Sequence, residues 1–134
     1  DVVVMAAAVA DFRPVPVSKG KHKKADGPPA IELEPTPDLL AALGATKRPG
    51  QILVGFAAET DDLLENARKK LASKSLDLIV ANDVSAPDVG FSHVTNAVTI
   101  LDSEGGAEET GLLSKAEIAT RVIDRVARLL SAVR

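Results

Sequence analysis

No cysteine, tryptophan or tyrosine occurs in the 134 residues, and the aromatic set is three phenylalanines. Without cysteine there is no disulfide and no thiolate metal site, a usage that fits a reducing cytoplasm. With aromatics at 2%, the core has to be built from Val, Ile, Leu and Ala. The two histidines, His22 and His93, lie too far apart to give metal-ligand spacing. No apolar segment reaches the roughly 20 residues of a spanning helix, so no membrane partner is expected. The net charge of −3 runs against a general nucleic-acid binder. Three motifs are missing as well. No G-x-G-x-x-G follows the first apolar run, no G-x-x-x-x-G-K-[ST] occurs, and no Ser-His-Asp set or cysteine nucleophile is apparent.

What remains is 46% hydrophobic and 26% charged, enough to form the core of one compact domain. Asp1 runs straight into the apolar stretch Val2 to Ala10 without the basic lead-in of a signal peptide. The chain is therefore expected to be a fragment of a larger protein, cut just before a strand. Val2 to Ala10 has no polar alternation and predicts a strand buried on both faces. Arg13 to Ala30, rich in Pro, Gly and Lys, predicts a loop, and Ile31 to Glu34 a short strand. Thr36-Pro37-Asp38 predicts a helix start with Thr36 as N-cap, running to about Gly44. Gln51 to Ala58 and Leu76 to Ala81 read as two more buried strands, separated by an amphipathic helix from Asp61 to about Ser73.

Ala97 to Leu101 reads as an antiparallel edge strand turned by Glu104-Gly105-Gly106 into a partner near Glu108. Ser114 and Glu117 predict a capping box for the last helix, with Leu113 and Ile118 as its staple. Its buried stripe is expected to be Ile118, Val122, Ile123, Val126, Leu129, Leu130 and Val133. The alternation of apolar strands with helices predicts an α/β fold, Rossmann-like and three-layered. Its mixed sheet should be mostly parallel, with an antiparallel hairpin near the C-terminal end.

The three apolar runs finish alike, as Ala10-Asp11-Phe12, Ala57-Ala58-Glu59-Thr60 and Ala81-Asn82-Asp83. In open α/β sheets a ligand sits beyond the carboxyl ends of the strands. Small residues let backbone approach that ligand, and polar tips can hold it. The plainer reading is ordinary turn-forming strand ends. Lys19, Lys21, Lys23 and Lys24 form a basic cluster in the first loop, able to close over phosphates or simply to be solvated. No aromatics interleave with them, so stacking on a polynucleotide has no support.

Lys70 and Lys74, spaced i and i+4, fall at the edge of an apolar helix stripe, where they either snorkel or meet an anion. Thr36 to Leu40 offers free N–H groups at a helix start. Asp38 there suits ribose hydroxyls or a phosphate bridged by Mg²⁺, and equally a plain cap. Phe56, at a strand end, packs either on a sugar or base or in the core.

Together AAAVADF at Ala6–Phe12, KHKK at Lys21–Lys24, TPDLL at Thr36–Leu40, GFAAET at Gly55–Thr60 and ANDVS around Asn82 resemble the bacterial phosphopantothenoylcysteine synthetases. The resemblance runs from Asp1 to about Thr99 and thereafter holds in pattern. It implies a CTP-dependent ligase joining 4′-phosphopantothenate to L-cysteine in coenzyme A biosynthesis, through an acyl-cytidylate, with Mg²⁺. It implies that Met5, Ala6, Ala7 and Asp11 line the nucleotide and substrate crevice. Lys21 would be the catalytic, nucleotide-contacting lysine. Pro37, Asp38, Leu39 and Leu40 would supply a helix-start contact, and Phe56, Lys70, Lys74 and Asn82 further contacts. No metal ligand is assigned.

By the same resemblance residues 1–134 form one nucleotide-binding domain whose glycine-rich segment lies upstream, so the fragment alone should be inactive. FMN is expected only if a decarboxylase is fused upstream, and a homodimer is expected. Two other readings stay open. One is a non-catalytic nucleotide-binding module of the same fold. The other, a nicotinamide-dependent oxidoreductase, is disfavoured by the missing fingerprint.

Overall fold

The computed structural model describes residues 1–15, 20, 27, 28, 30–59, 62–83 and 94–133, side chains excepted at 59, 83 and 133. They fall into two compact units. One comprises Asp1–Ala7 with Leu40–Arg134, and the other Ala8–Leu39.

The larger unit is built on a five-stranded sheet. Its strands are β1 (Val2–Met5), β4 (Ile52–Glu59), β5 (Leu78–Asp83), β6 (Thr95–Asp102) and β7 (Ala107–Ser114), side by side in that order. β1, β4 and β5 pair in parallel, while β6 is antiparallel to both β5 and β7. β7 therefore runs in the same direction as the parallel strands, and β6 alone is reversed. α1 (Leu39–Ala45) and α2 (Leu63–Ser73) belong to one face, α3 (Lys115–Val133) to the other. The expected mixed, mostly parallel three-layer arrangement is what the chain forms.

Alternation along the strands makes both faces. Leu53, Ile79 and Leu101 pack with Leu40, Ala67 and Leu71 of the helices on one side. Ile52, Val54, Leu78, Val80, Val98 and Ile100 pack with Ile118, Val122 and Val126 on the other. Burying each such aliphatic side chain contributes about 1.5–3 kcal/mol. At Gly55 a Cβ would meet Leu40 and Leu76 at 2.8 Å, so the absent side chain lets α1 and the α2–β5 turn close onto β4.

Several elements differ from the sequence expectations. β1 stops at Met5, where its ladder with β4 ends at the pair Met5–Gly55. The alanines that follow lack the β-branching that favours strands. β1 also lies at an edge of this sheet and is only half-buried, with Val4 42% exposed. Apolar composition reported a strand but not its number of neighbours. β6, expected at the edge, is interior, and the edge is β7. In α3, Ile118, Val122 and Val126 are buried as expected, but Ile123 is 57% exposed, because a single sheet covers a narrower arc of the helix than the apolar stripe spans.

The capping box forms as expected. The Ser114 N–H and hydroxyl donate to Glu117 Oε2 at 2.9 and 2.6 Å, and the Glu117 N–H donates to Ser114 Oγ at 3.2 Å. Leu113 and Ile118 share the adjoining apolar cluster, as a staple requires.

The hairpin turn after β6 is fixed by Asp102. Its carboxylate accepts from the Glu104 and Gly106 N–H groups at 3.0 and 2.7 Å and from the Arg125 guanidinium of α3. Burial pushes that carboxyl up, but Arg125 and the two N–H donors outweigh it and hold the group below its ordinary value. A second clamp joins the start of β5 to β4. There Asp77 accepts from Lys47 Nζ at 3.0 Å and from the Leu53 N–H at 2.7 Å.

The smaller unit holds a two-stranded antiparallel ladder, β2 (Phe12–Pro14) with β3 (Leu33–Pro35). Arg13 and Glu34 face each other across it, Nε to Oε1 2.7 Å. β2 falls where a loop was expected, since a strand of three residues leaves no periodic signal. Thr36 also departs from expectation. Its N–H donates to Asp11 O at 2.9 Å and its hydroxyl to Ala10 O, tying the end of this ladder together, while α1 begins only at Leu39.

Candidate functional site

The carboxyl ends of β4 and β5 lie side by side. Ala57 is in register with Ala81, Ala58 with Asn82 and Glu59 with Asp83. The two motif ends GFAAE and AND are thus one surface. Phe56, Ala58 and Asn82 occupy the face of the sheet that α3 covers further down. Val54 and Val80, deeper on that face, are fully buried, whereas Phe56 is 42% exposed. Phe56 is therefore not core. It is an apolar ring at the open end of the sheet. Asn82 beside it is half-buried, and its Oδ1 is buried with no hydrogen-bond partner among the described residues. An acceptor left in that state costs about 1–3 kcal/mol unless a ligand supplies a donor. Met5, half-buried, closes β1 in register with Gly55, and the exposed Ala6 and Ala7 continue from it at the same end of the sheet.

In the smaller unit the β2–β3 ladder brings Asp11, just before β2, next to Thr36-Pro37-Asp38, just after β3. Asp11 is therefore not the tip of the first strand, which ends at Met5. Its partner in space is the segment that leads into α1. Asp11, Pro37, Asp38 and Leu39 are all exposed. Leu40 is not. Its side chain is core, packed toward β4, and only its backbone is left for a ligand.

Lys70 and Lys74 are not at the strand ends. Lys70 is in the last turn of α2 and Lys74 is its C-cap, and β5 begins shortly afterwards at Leu78, so both lie toward the amino ends of the strands. Both are half-buried, as expected beside Leu63 and Ala67 at the edge of the apolar stripe, and Ala67 is buried. Side chains on a helix lean toward its N-terminus, the end of α2 that follows β4. Lys21, with Lys19, Lys23 and Lys24, lies outside the described residues, as do His22, His93 and Thr60.

Sequence reasoning missed Asp62. It is the N-cap of α2, with φ 45° and no side-chain capping bond. A non-glycine residue in the left-handed region often marks a functional turn, and the Asp-Asp pair after GFAAET is the signal that could have flagged it. The start of α3, near the same end of the sheet, is already capped by Glu117. Its carboxyl is held below its ordinary value by the Ser114 hydroxyl and N–H. Among the described residues no group of three His, Cys, Asp or Glu could hold a metal, and no helix is long and apolar enough to cross a membrane.

Residues 1–130 match the family described as DFP, the DNA/pantothenate metabolism flavoprotein C-terminal domain. The coenzyme A biosynthesis bifunctional protein CoaBC of Bacillus subtilis (strain 168) is 50% identical over 129 residues, covering 96% of this chain and 32% of that protein. A protein of an unknown prokaryotic organism named cysteine/cysteine sulfinic acid decarboxylase is 44% identical over 130 residues, covering 97% of this chain and 36% of its own length. The crystal structure of the C-terminal domain of a CoaBC protein superposes with a TM-score of 0.75 at 39% identity, over 98% of this chain and 56% of that one. The chain thus spans about a third of the length of these curated relatives. With nearly its whole length matched, the chain belongs to the DNA/pantothenate metabolism flavoprotein C-terminal domain family, and its relatives include the C-terminal, phosphopantothenoylcysteine synthetase part of CoaBC.

Proposed function

We propose that this chain is the nucleotide-binding part of a cytoplasmic ligase that joins 4′-phosphopantothenate to L-cysteine in coenzyme A biosynthesis, with CTP as the activating nucleotide. The observation that carries the reading is the buried Oδ1 of Asn82, without a hydrogen-bond partner among the described residues, beside the exposed Phe56 at the carboxyl end of the sheet. An acceptor there calls for a donor such as a ribose hydroxyl or an exocyclic amine, and a neighbouring apolar ring suits a sugar or base. Family membership and the names of the CoaBC relatives supply the pathway.

In the proposed reaction a phosphopantothenate carboxylate oxygen bonds to the α-phosphorus of CTP and pyrophosphate leaves. The cysteine amine then attacks the acyl carbon, loses a proton and expels CMP. Such chemistry asks for positioning and charge neutralisation rather than a protein nucleophile. Asn82 would accept from the nucleotide, Phe56 would pack on it, and Ala6, Ala7 and Ala58 would let it approach the backbone. Lys21 would neutralise charge growing on the phosphates. Mg²⁺ would arrive with the triphosphate and need only one or two carboxylates. The motif segments contain four acids, Asp11, Asp38, Glu59 and Asp83, and none is assigned to the metal.

FMN would belong to a fused decarboxylase, outside these residues. A homodimer is the proposed assembly, with the edge strand β7 and the 60%-exposed Leu112 as its surface. The relative named a decarboxylase motivates a second reading. Because the match covers 36% of that protein, its named activity need not reside in the shared part.

The test is pyrophosphate release by the full-length protein. CTP with phosphopantothenate, before any cysteine is added, should release pyrophosphate. A strong preference for ATP in that half-reaction would defeat the choice of nucleotide, and no release with any nucleotide would defeat the ligase.

A further inference from the structure

The ladder between β6 and β7 is interrupted once. Ala97 pairs with Leu112 and Thr99 with Glu109, so Val98 alone faces two residues, Thr110 and Gly111. Gly111 takes the extra residue at φ 65°, a left-handed conformation that suits glycine. The Thr110 hydroxyl sits at this bulge. It accepts from the Val98 N–H at 3.1 Å, and its proton has two acceptors in reach, the Val98 carbonyl at 3.2 Å and the Gly111 carbonyl at 2.9 Å.

Val98 is also the last β6 residue in register with β5, and its partner there is Asn82. Since the N–H and C=O of Val98 both point to β7, Val98 and Asn82 form a non-hydrogen-bonded pair across β5 and β6. Such pairs bring Cα atoms to about 4.5 Å and press their side chains together on one face. Val98 is buried, with 7% exposure. The register places its side chain next to that of Asn82 on the same face.

Thr110 therefore reaches Asn82 through one intervening residue. We infer that Thr110 is a positioning residue for the nucleotide site: its hydroxyl fixes the bulged Val98, and Val98 fixes the Asn82 amide. The inference rests on the proposed nucleotide role of Asn82. Bulges beside functional sites commonly re-aim a side chain in this way.

The experiment uses the full-length protein with CTP as probe and the Asn82 side-chain amide as an NMR reporter. Thr110→Val removes the hydroxyl at nearly constant volume. It should move the Asn82 amide resonances and weaken CTP by about two- to 150-fold, the range of coupling seen between residues in one network. Thr110→Ser, which keeps the hydroxyl, should restore both. In an Asn82→Ala background Thr110→Val should cost no further affinity. If the valine variant does not fold, Thr110→Ala carries the same comparison. Unmoved Asn82 resonances, or losses that multiply in the double variant, would overturn the positioning role. If Asn82→Ala leaves CTP affinity unchanged, the nucleotide reading of Asn82 fails, while the resonances of the Thr110 variants still decide whether the hydroxyl sets that amide.

Discussion

At the scale of single residues, Lys70 and Lys74 pose the sharpest question. Their aliphatic stems fit the half-buried rim of α2 beside Ala67 and Leu71, and cations at a helix C-terminus are favoured by its dipole. Both observations are satisfied without any ligand. The family resemblance instead assigns both to the nucleotide. Under the proposed function, Lys70→Met and Lys74→Met should each weaken CTP more than CMP, because the lost partner would be the triphosphate tail. A charge-assisted contact of this kind contributes about 1.5–3 kcal/mol. The salt dependence of CTP binding should fall as well, since fewer charged contacts remain to be screened. Titration of both nucleotides into both variants at two salt concentrations checks this. Equal losses for CTP and CMP would place the lysines away from the β- and γ-phosphates. Unchanged affinity would leave them as parts of the helix rim.

At the scale of elements, the β6–β7 hairpin depends on Asp102, whose carboxylate organises the turn and joins it to α3 through Arg125. The folded group titrates below its ordinary value of 3.8. Its contribution to stability is therefore fully present above about pH 4 and is lost as pH falls through the lower, folded value. Asp102→Asn should lower the midpoint of thermal unfolding at pH 7 and flatten the loss of stability below pH 4, measured by circular dichroism across that window. An unchanged acid limb would remove Asp102 as its cause.

How much of this was legible in advance depended on the physical signal. The capping box, the hairpin turn and the buried strands β4 and β5 were readable, since each is set by local residues such as Ser114 with Glu117 or by an unbroken aliphatic run. The edge position of β1, the interior position of β6 and the exposure of Ile123 depend on which strands become neighbours, and periodicity carries no such information. In the candidate site, the residue types at Phe56 and Asn82 pointed to the strand ends. The Thr110–Val98 contact crosses two strands through a bulge, and no spacing rule announces it.

At the scale of the whole molecule, the question is whether these 134 residues suffice for chemistry. They contain a sheet closed on both faces by helices and a cluster of motif residues at its carboxyl end. They contain no glycine-rich phosphate loop of either common kind. Triphosphate activation needs several donors converging on the phosphates, and removing one such group typically costs about 10²- to 10³-fold in rate. The proposed site draws its base and sugar contacts from β4 and β5 and its phosphate contacts from Lys21, Lys70 and Lys74, while about two thirds of the length of the curated relatives lies outside the matched part. The 134-residue chain produced alone should therefore fold, giving a cooperative thermal transition. It should release no pyrophosphate from CTP and phosphopantothenate under conditions in which the full-length protein does. Assaying both proteins side by side at equal concentration, with circular dichroism on the same samples, separates the outcomes. Turnover by the short chain would show that its own residues complete the phosphate site. Failure to fold would overturn the expectation that this sheet is stable in the 134-residue chain alone.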